Sequence, residues 1–450
     1  MADDTSQLYT PEHHSGRLDA RLNTTNYIHP QETNLLNLHK AMEYNDQGQP
    51  VIRTTSGASP ATNDAFGRLR VSNPYTLFDS FYRYNDQGKF STYTNGTASA
   101  TPNSNAGLVE LSVGTTSGDT VYRETNRVFA YQPGKSLQIL TTFVMASGKT
   151  NLRQRIGYFD TNNGVFLEQD GTTLYFRIRS YVTGAITYET VEQKDWNIDP
   201  LNGTGTSTLV LDKTKAQILF FDIEWLGVGS VRCGFVIDGQ FVLAHVFNHA
   251  NIVEGTYMTT ACLPIRVELE NTGVTASSSL LKQICSTVIS EGGYTLTGVP
   301  TSVGHAINAP YSLANPNTLY PIFSMRLKSN RLGAIVLPKG YSLGLSGNHN
   351  FTLQLILGGT TSGGGWNSAG TNSSVEYNLT ATGITGGRTA EYRQIIGSNQ
   401  FAGLADIQEP FAYQLERNSF TGTATELTVC LATSGNNVNT YAAVNWEELT

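Results

Sequence analysis

Arg153-Gln-Arg-Ile-Gly-Tyr-Phe-Asp-Thr-Asn-Asn-Gly-Val-Phe-Leu-Glu-Gln-Asp-Gly-Thr-Thr-Leu-Tyr-Phe-Arg-Ile-Arg179 reads as short strands folded back on one another. The breaks are Asn162-Asn163-Gly164 and Asp170-Gly171, because Asn, Asp and Gly accept the positive φ that primed hairpin turns require. Upstream, Leu137 to Met145 reads as a buried strand that leads into Arg155–Asp160 across a Gly-containing turn, which makes the whole stretch a meander. Downstream come Ile218–Trp225, Ser230–Ile237 and Gln240–Phe247, the last two joined through Asp238-Gly239 as a further hairpin. In Leu263–Glu270, apolar Ile265, Val267 and Leu269 alternate with Arg266, Glu268 and Glu270, predicting one dry and one solvated face. The run Leu280–Ser290 is expected to close the sheet. Short strands without intervening helices predict an all-β chain whose main domain is a lectin-like antiparallel jelly-roll sandwich.

Composition agrees with this and narrows the function. Charged residues are only 14 % of the chain, against about 25 % in an average soluble domain. Polarity comes instead from Thr, Ser, Asn and Gly, and the 22 Tyr and 19 Phe suit pleated surfaces better than long helices. A net charge of -7 leaves no basic surface for a phosphate backbone, so nucleic acid is not expected as a partner. No uninterrupted apolar run reaches the length of about 18 residues that a spanning helix needs, and Met1-Ala-Asp-Asp-Thr-Ser lacks the basic and apolar regions of a secretory signal. Neither membrane insertion nor secretion is expected. Cys233, Cys262, Cys285 and Cys430 show no C-x-x-C spacing and are read as free thiols.

Along the chain, residues 1–75 carry Pro11, Pro30, Pro50, Pro60 and Pro74 among many polar residues, with one apolar cluster at Leu35, Leu36 and Leu38. Such a segment buries too little apolar surface to order itself, and reads as an extended docking arm that gains order on a neighbouring subunit. Residues 76–295 form the jelly-roll domain and the Pro-rich stretch 296–320 an interdomain linker. Residues 321–450 form a second, C-terminal β-sandwich, with strands expected at 321–327, 334–337, 351–357, 375–379, 425–431 and 442–447. The loop Gly358–Thr371, with Gly363-Gly364-Gly365-Trp366, has no core-forming pattern and is read as an exposed tip, Trp366 being a candidate glycan or partner contact. Tyr44-Asn-Asp-Gln-Gly48 recurs as Tyr84-Asn-Asp-Gln-Gly88, which two similar turns explain.

The candidate chemistry is thin. His245-Val-Phe-Asn-His249 has the outer spacing of a zincin helix but lacks its Glu and sits in strand-like sequence. Asp160-Thr-Asn-Asn-Gly164 resembles the start of a calcium loop, with the Gly one position early, and is better read as a turn. The same-face pairs Asp222/Glu224 and Glu268/Glu270 are the sole glycosidase-like feature, and a solvated sheet face produces the same alternation. No nucleophile elbow, phosphate loop or dinucleotide fingerprint stands in a suitable context. Catalytic, metal and cofactor sites are therefore assigned to no residue.

Asn63-Asp-Ala-Phe-Gly-Arg-Leu-Arg-Val-Ser-Asn-Pro-Tyr-Thr-Leu-Phe-Asp-Ser80 resembles a stretch of structural proteins of tailed phages, marine and cyanobacterial ones among them. Arg153–Asp160, Gly164–Glu168, Gly234–Gly239, His245–Asn251 and Leu263–Glu268 are similar to the same group, so the likeness spans 63 to about 273 and leaves the last third uncovered. The sandwich also resembles concanavalin-type and laminin-G-type lectin folds, without carried-over sugar or calcium ligands. The resemblance implies a non-enzymatic virion component, assembled in the host cytoplasm, with other virion proteins and copies of itself as partners in a trimer or ring. A tail, baseplate or fibre position is the first expectation, a capsid decoration or head fibre the second, and a receptor-binding lectin for host surface glycan the third. The assembly contacts would be Leu35, Leu36, Leu38, Phe66, Arg68, Arg70, Tyr75 and Phe78.

Overall fold

The computed structural model describes residues 42–44, 50–52, 63–85, 87–396 and 400–449. The chain divides into two units, 1–62 and 63–450. In the first, Met42–Tyr44 pairs antiparallel with Pro50–Ile52. The regular structure of the second is almost wholly β-strand and forms two sandwiches.

The first sandwich packs a front sheet of seven strands on a back sheet of eight. The front sheet runs, in spatial order, Thr187–Glu192, Thr173–Ser180, Gly164–Asp170, Leu152–Phe159, Ile265–Asn271, Thr120–Thr125 and Phe90–Asn95. The back sheet runs Gln240–Phe247, Val231–Ile237, Gln217–Ile223, Leu137–Val144, Ser279–Ser290, Leu108–Val113 and Ser99–Asn103, with Tyr75–Ser80 also paired to Ser279–Ser290. Alternate side chains from both sheets meet between them: Ile156, Phe176, Val267 and Leu269 from the front, Ile139, Phe143, Leu219, Phe221 and Phe235 from the back. The period of two places every second residue in this core, so a one-residue slip would expel a whole strand's apolar set.

The hairpins form where their turn residues predict. Asp170 pairs with Thr173 around Gly171 at φ 61, and Asp238 and Gly239 take φ 50 and 76 between Ile237 and Gln240. Gly164 opens its strand opposite Phe159 rather than sitting in the turn. Two expectations are corrected. Leu137–Val144 and Leu152–Phe159 lie in different sheets, so the chain crosses the sandwich there instead of meandering. Ser279–Ser290 does not close the sheet but lies inside it, between Leu137–Val144 and Leu108–Val113, with its backbone paired along both edges.

The second sandwich has a five-strand sheet built on Val438–Leu449 and a six-strand sheet built on Glu426–Thr433. The six expected strands begin within four residues of expectation and several run longer, Ile335–Ser346 and Phe351–Ser362 each covering 12 residues, while Gly383–Ile395 and Gln400–Asp406 are strands that the sequence reading did not include. The stretch 296–320 is no linker: Val299–Gly304 and Tyr311–Leu313 both pair with Val438–Leu449. Its prolines are tolerated because these are short flanking strands. The two sandwiches are also welded together by a small apolar cluster of Val128, Ala130, Ile335 and Leu337.

Candidate functional site

The outward face of the front sheet carries the densest chemistry among the described residues. Strand register places Glu192, Tyr175, Glu168, Arg155, Glu268, Tyr122 and Tyr93 in one row across all seven strands. The neighbouring row reads Thr190, Arg177, Phe166, Gly157, Arg266, Glu124 and Ser91. Gly157 is required there: a Cβ at that position would stand 2.3 Å from the Val165 carbonyl oxygen and 2.7 Å from the Phe166 Cβ.

Arginine and glutamate alternate across these rows. Arg155 bonds Glu168 through Nε and Glu268 through Nη1, the latter at 2.9 Å. Arg266 reaches Glu268 and Glu124, each at 2.7 Å, and Arg177 reaches Glu168 at 3.0 Å. Arg153 and the Tyr122 hydroxyl both bond Glu270. This corrects the solvated face expected for Arg266, Glu268 and Glu270, which are 4 %, 3 % and 7 % exposed. Charged side chains can be buried when each finds an ionic partner, and here they pair sideways along the sheet.

Residues 407–424 leave the second sandwich and pack on this face. Arg417 donates to Glu124 at 2.6 Å and to the Thr125 carbonyl at 2.6 Å, while Phe420 lies 5.1 Å from the Arg266 guanidinium and 6.0 Å from the Tyr93 ring. Arg127 returns the contact through Glu416 at 2.8 Å and the Phe411 carbonyl at 2.8 Å.

The carboxylates of the two pairs are each held by structural partners. Burial raises the Glu268 carboxyl, but Arg266 and Arg155 outweigh it and hold it below the ordinary range, the wrong direction for a proton donor. Asp222 is buried beneath Arg70 and Arg232, whereas Glu224, beyond the strand end, accepts from the Ser230 amide at 2.9 Å. Burial, outweighing the two guanidiniums, pushes the Asp222 carboxyl up to about 7.

The remaining sequence candidates hold structure. His245 Nδ1 accepts from the Asn197 amide at 3.2 Å, and burial lowers its pKa to about 4. His249 stacks on Tyr257 at 3.8 Å, with Nδ1 bonded to the Gly229 carbonyl and Nε2 to Glu189. The Asp160 carboxylate accepts from the Asn162 and Asn163 amides, closing the hairpin. Among the described residues, no three His, Cys, Asp or Glu side chains gather to hold a metal, and no helix is long and apolar enough to cross a membrane.

The expected assembly residues are placed unevenly. Leu35, Leu36 and Leu38 lie outside the described residues. Phe66, half-buried, carries the Arg68 guanidinium 4.7 Å above its ring, and Arg68 also pairs with Asp64. Arg70 is clamped between Asp222 at 2.8 Å and Glu291 at 2.5 Å. Tyr75 packs against Phe411 and Tyr294. Phe78 is a core residue in contact with Phe90 and Phe129, so it presents nothing to another subunit. Residues 63–75, read as the end of the arm, thus belong to the body, where Arg70 satisfies a buried carboxylate. Trp366 lies half-buried with the Arg326 guanidinium 3.9 Å from its ring centroid. The arginines of the front face were missed, although Arg153/Arg155, Arg177/Arg179 and Arg266/Glu268/Glu270 all show charge at the two-residue spacing of one strand face.

No family model matches the chain, and no curated protein matches it. Solved structures do resemble it. A protein of unknown function from Shewanella oneidensis MR-1 is 11 % identical over 61 % of this chain and 99 % of its own, with a TM-score of 0.33. The CBM2 module of the evolved Dit of Lactobacillus casei BL23 phage J-1 is 8 % identical over 49 % of this chain and 98 % of its own, at TM-score 0.31. A legume lectin-like domain from Entamoeba histolytica is 6 % identical over 47 % of this chain and 96 % of its own, at TM-score 0.30. Carbohydrate-binding and lectin-like β-domains thus stand among the structures this chain resembles.

Proposed function

We propose that this chain is a non-enzymatic structural component of a bacteriophage virion, placed in the tail, baseplate or fibre. The observation that carries the reading is the position of Asn63–Ser80, the segment that resembles phage structural proteins. Residues 63–74 are locked to the back sheet by Arg70 on Asp222 and Glu291 and by the Asn63 carbonyl on Arg232 at 3.2 Å, and Tyr75–Ser80 joins that sheet as a strand. The sequence of residues 1–62, proline-bearing and poor in apolar side chains, suits docking on a neighbouring protein. The welded sandwiches supply a stiff body, and the carboxylates and histidines singled out from the sequence are held by structural partners.

Immunogold electron microscopy of intact particles, with antibodies raised against residues 63–450, tests it. Labelling at one fixed place on the tail, lost when residues 1–62 are deleted, is the expected result. Labelling confined to the head would move the chain to a decoration or head-fibre role. Absence of the chain from purified particles would overturn the proposal.

A further inference from the structure

The geometry points to a binding site for an anionic saccharide, one bearing a carboxylate or sulfate, at the Arg177–Arg179 corner of the front sheet, with Tyr188 as its cover. The site stands apart from where in a particle the chain sits.

Arg179 is 5 % exposed, yet no carboxylate among the described residues pairs with it. Its Nη1 donates to the Asp160 carbonyl at 2.6 Å, and its buried Nε has no hydrogen-bond partner. Glu268 acts on it through space and Tyr188 by a hydrogen bond, but a buried cation with no directly bonded carboxylate is costly. The rings of Phe166, Phe159 and Tyr188, at 5.2, 5.4 and 5.5 Å, offset part of that cost as cation–π partners. Arg177, two residues away on the same face, has Glu168 on one side, and its buried Nε is equally unpartnered. The acids nearby are already engaged: Glu168 by Arg155 and Glu268 by both Arg155 and Arg266. An anion seated between the two guanidiniums would supply the partner that the sheet withholds.

Access runs through Tyr188. This residue lies on the edge strand Thr187–Glu192, is 42 % exposed, and stands 5.5 Å from each guanidinium. For the ligand to enter, this side chain must turn outward and give up its hydrogen bond to Arg179 in exchange for the ligand's acid. On the other side of Arg177 the Tyr175 ring stands at 4.9 Å. Aromatic faces on both sides of an unsatisfied guanidinium suit a sugar ring that offers C–H faces for packing and an acid for pairing. A bare inorganic anion would leave the two rings unused.

The test is calorimetric titration of the full chain with oligogalacturonate, with chondroitin sulfate and with neutral dextran, at low and high salt. Binding of at least one acidic saccharide, weakened by salt, with none of dextran, is expected. Carboxylate and sulfate are told apart by which of the two acidic probes binds. Arg177→Gln should weaken binding about tenfold, the scale of one charge-assisted hydrogen bond, in a chain that stays folded because Arg155 still holds Glu168. Arg179→Gln should abolish binding, the urea midpoint serving to show that the variant is folded. No binding of either acid, equal binding of dextran, or affinity unaffected by Arg177→Gln in the folded chain would each overturn the proposal.

Discussion

Arg417 of the second sandwich donates to Glu124 of the first at 2.6 Å, and both side chains are buried, at 6 % and 1 % exposure. The bond crosses between bodies that each have their own core, and Arg266 holds the other Glu124 oxygen at 2.7 Å. Breaking a buried pair by removing one partner leaves a charge with too little compensation. Arg417→Ala is therefore expected to cost about 3 kcal/mol, the lower end for such losses, read as a lowered urea midpoint. A change below about 0.5 kcal/mol, the size of an ordinary surface substitution, would mean that the weld is apolar alone.

The clamp on Arg70 has a pH signature. Asp222, beneath Arg70 and Arg232 and near Glu291 and Asp64, has its carboxyl raised to about 7, against about 3.9 in an unfolded chain. The fold then holds a proton that the unfolded chain has released, so this contribution to stability is complete below about pH 4 and is lost as pH rises through about 7. His245, lowered to about 4, acts in the opposite sense, its contribution being lost as pH falls below about 6.5. The comparison must therefore be between variants. Asp222→Asn should show a smaller fall in thermal midpoint from pH 5 to pH 8 than the parent chain, and parallel curves would refute the assignment.

Gly157→Ala places a methyl group against the Val165 carbonyl oxygen and the Phe166 side chain, inside distances that real Cβ atoms avoid. Since these contacts include backbone, the hairpin must shift. A loss of about 1 to 3 kcal/mol or more is expected in urea denaturation, as for other overpacked sites. A fully stable variant would mean that the two strands are less tightly registered than described.

At the other end of the molecule, Trp366 and Arg326 form a half-exposed cation–π pair, with Arg326 also bonded to Glu376 at 2.6 Å. Trp366→Ala should lower stability by only about 0.5 to 1 kcal/mol. A much larger loss in thermal denaturation would show Trp366 to be part of the second core.

The strands were legible because their signals are local. Asp238-Gly239 names its own turn, and the alternation around Ile265 and Val267 names its own inward face. What lies opposite that face is not a local matter. Arg266, Glu268 and Glu270 have the spacing of a solvated face, and only the partners brought by two other strands, with Arg417 beside Glu124, make burial tolerable. The same holds for 296–320: prolines and short polar residues suggest a linker, and the pairing that makes edge strands of it is supplied by residues more than a hundred positions later. Phe66, Arg68, Arg70 and Tyr75 were singled out through likeness to other proteins, which marks a segment without saying which neighbour it touches. Arg177 and Arg179 escaped notice because an unpaired guanidinium cannot be told from a paired one until its surroundings are known.

Val438–Leu449 is the central strand of its sheet, bonded to Val299–Gly304 on one side and Ile335–Ser346 on the other. Without it the sheet would be split into two halves, each presenting an unmatched edge of backbone donors and acceptors, so this one strand decides whether the layer exists at all.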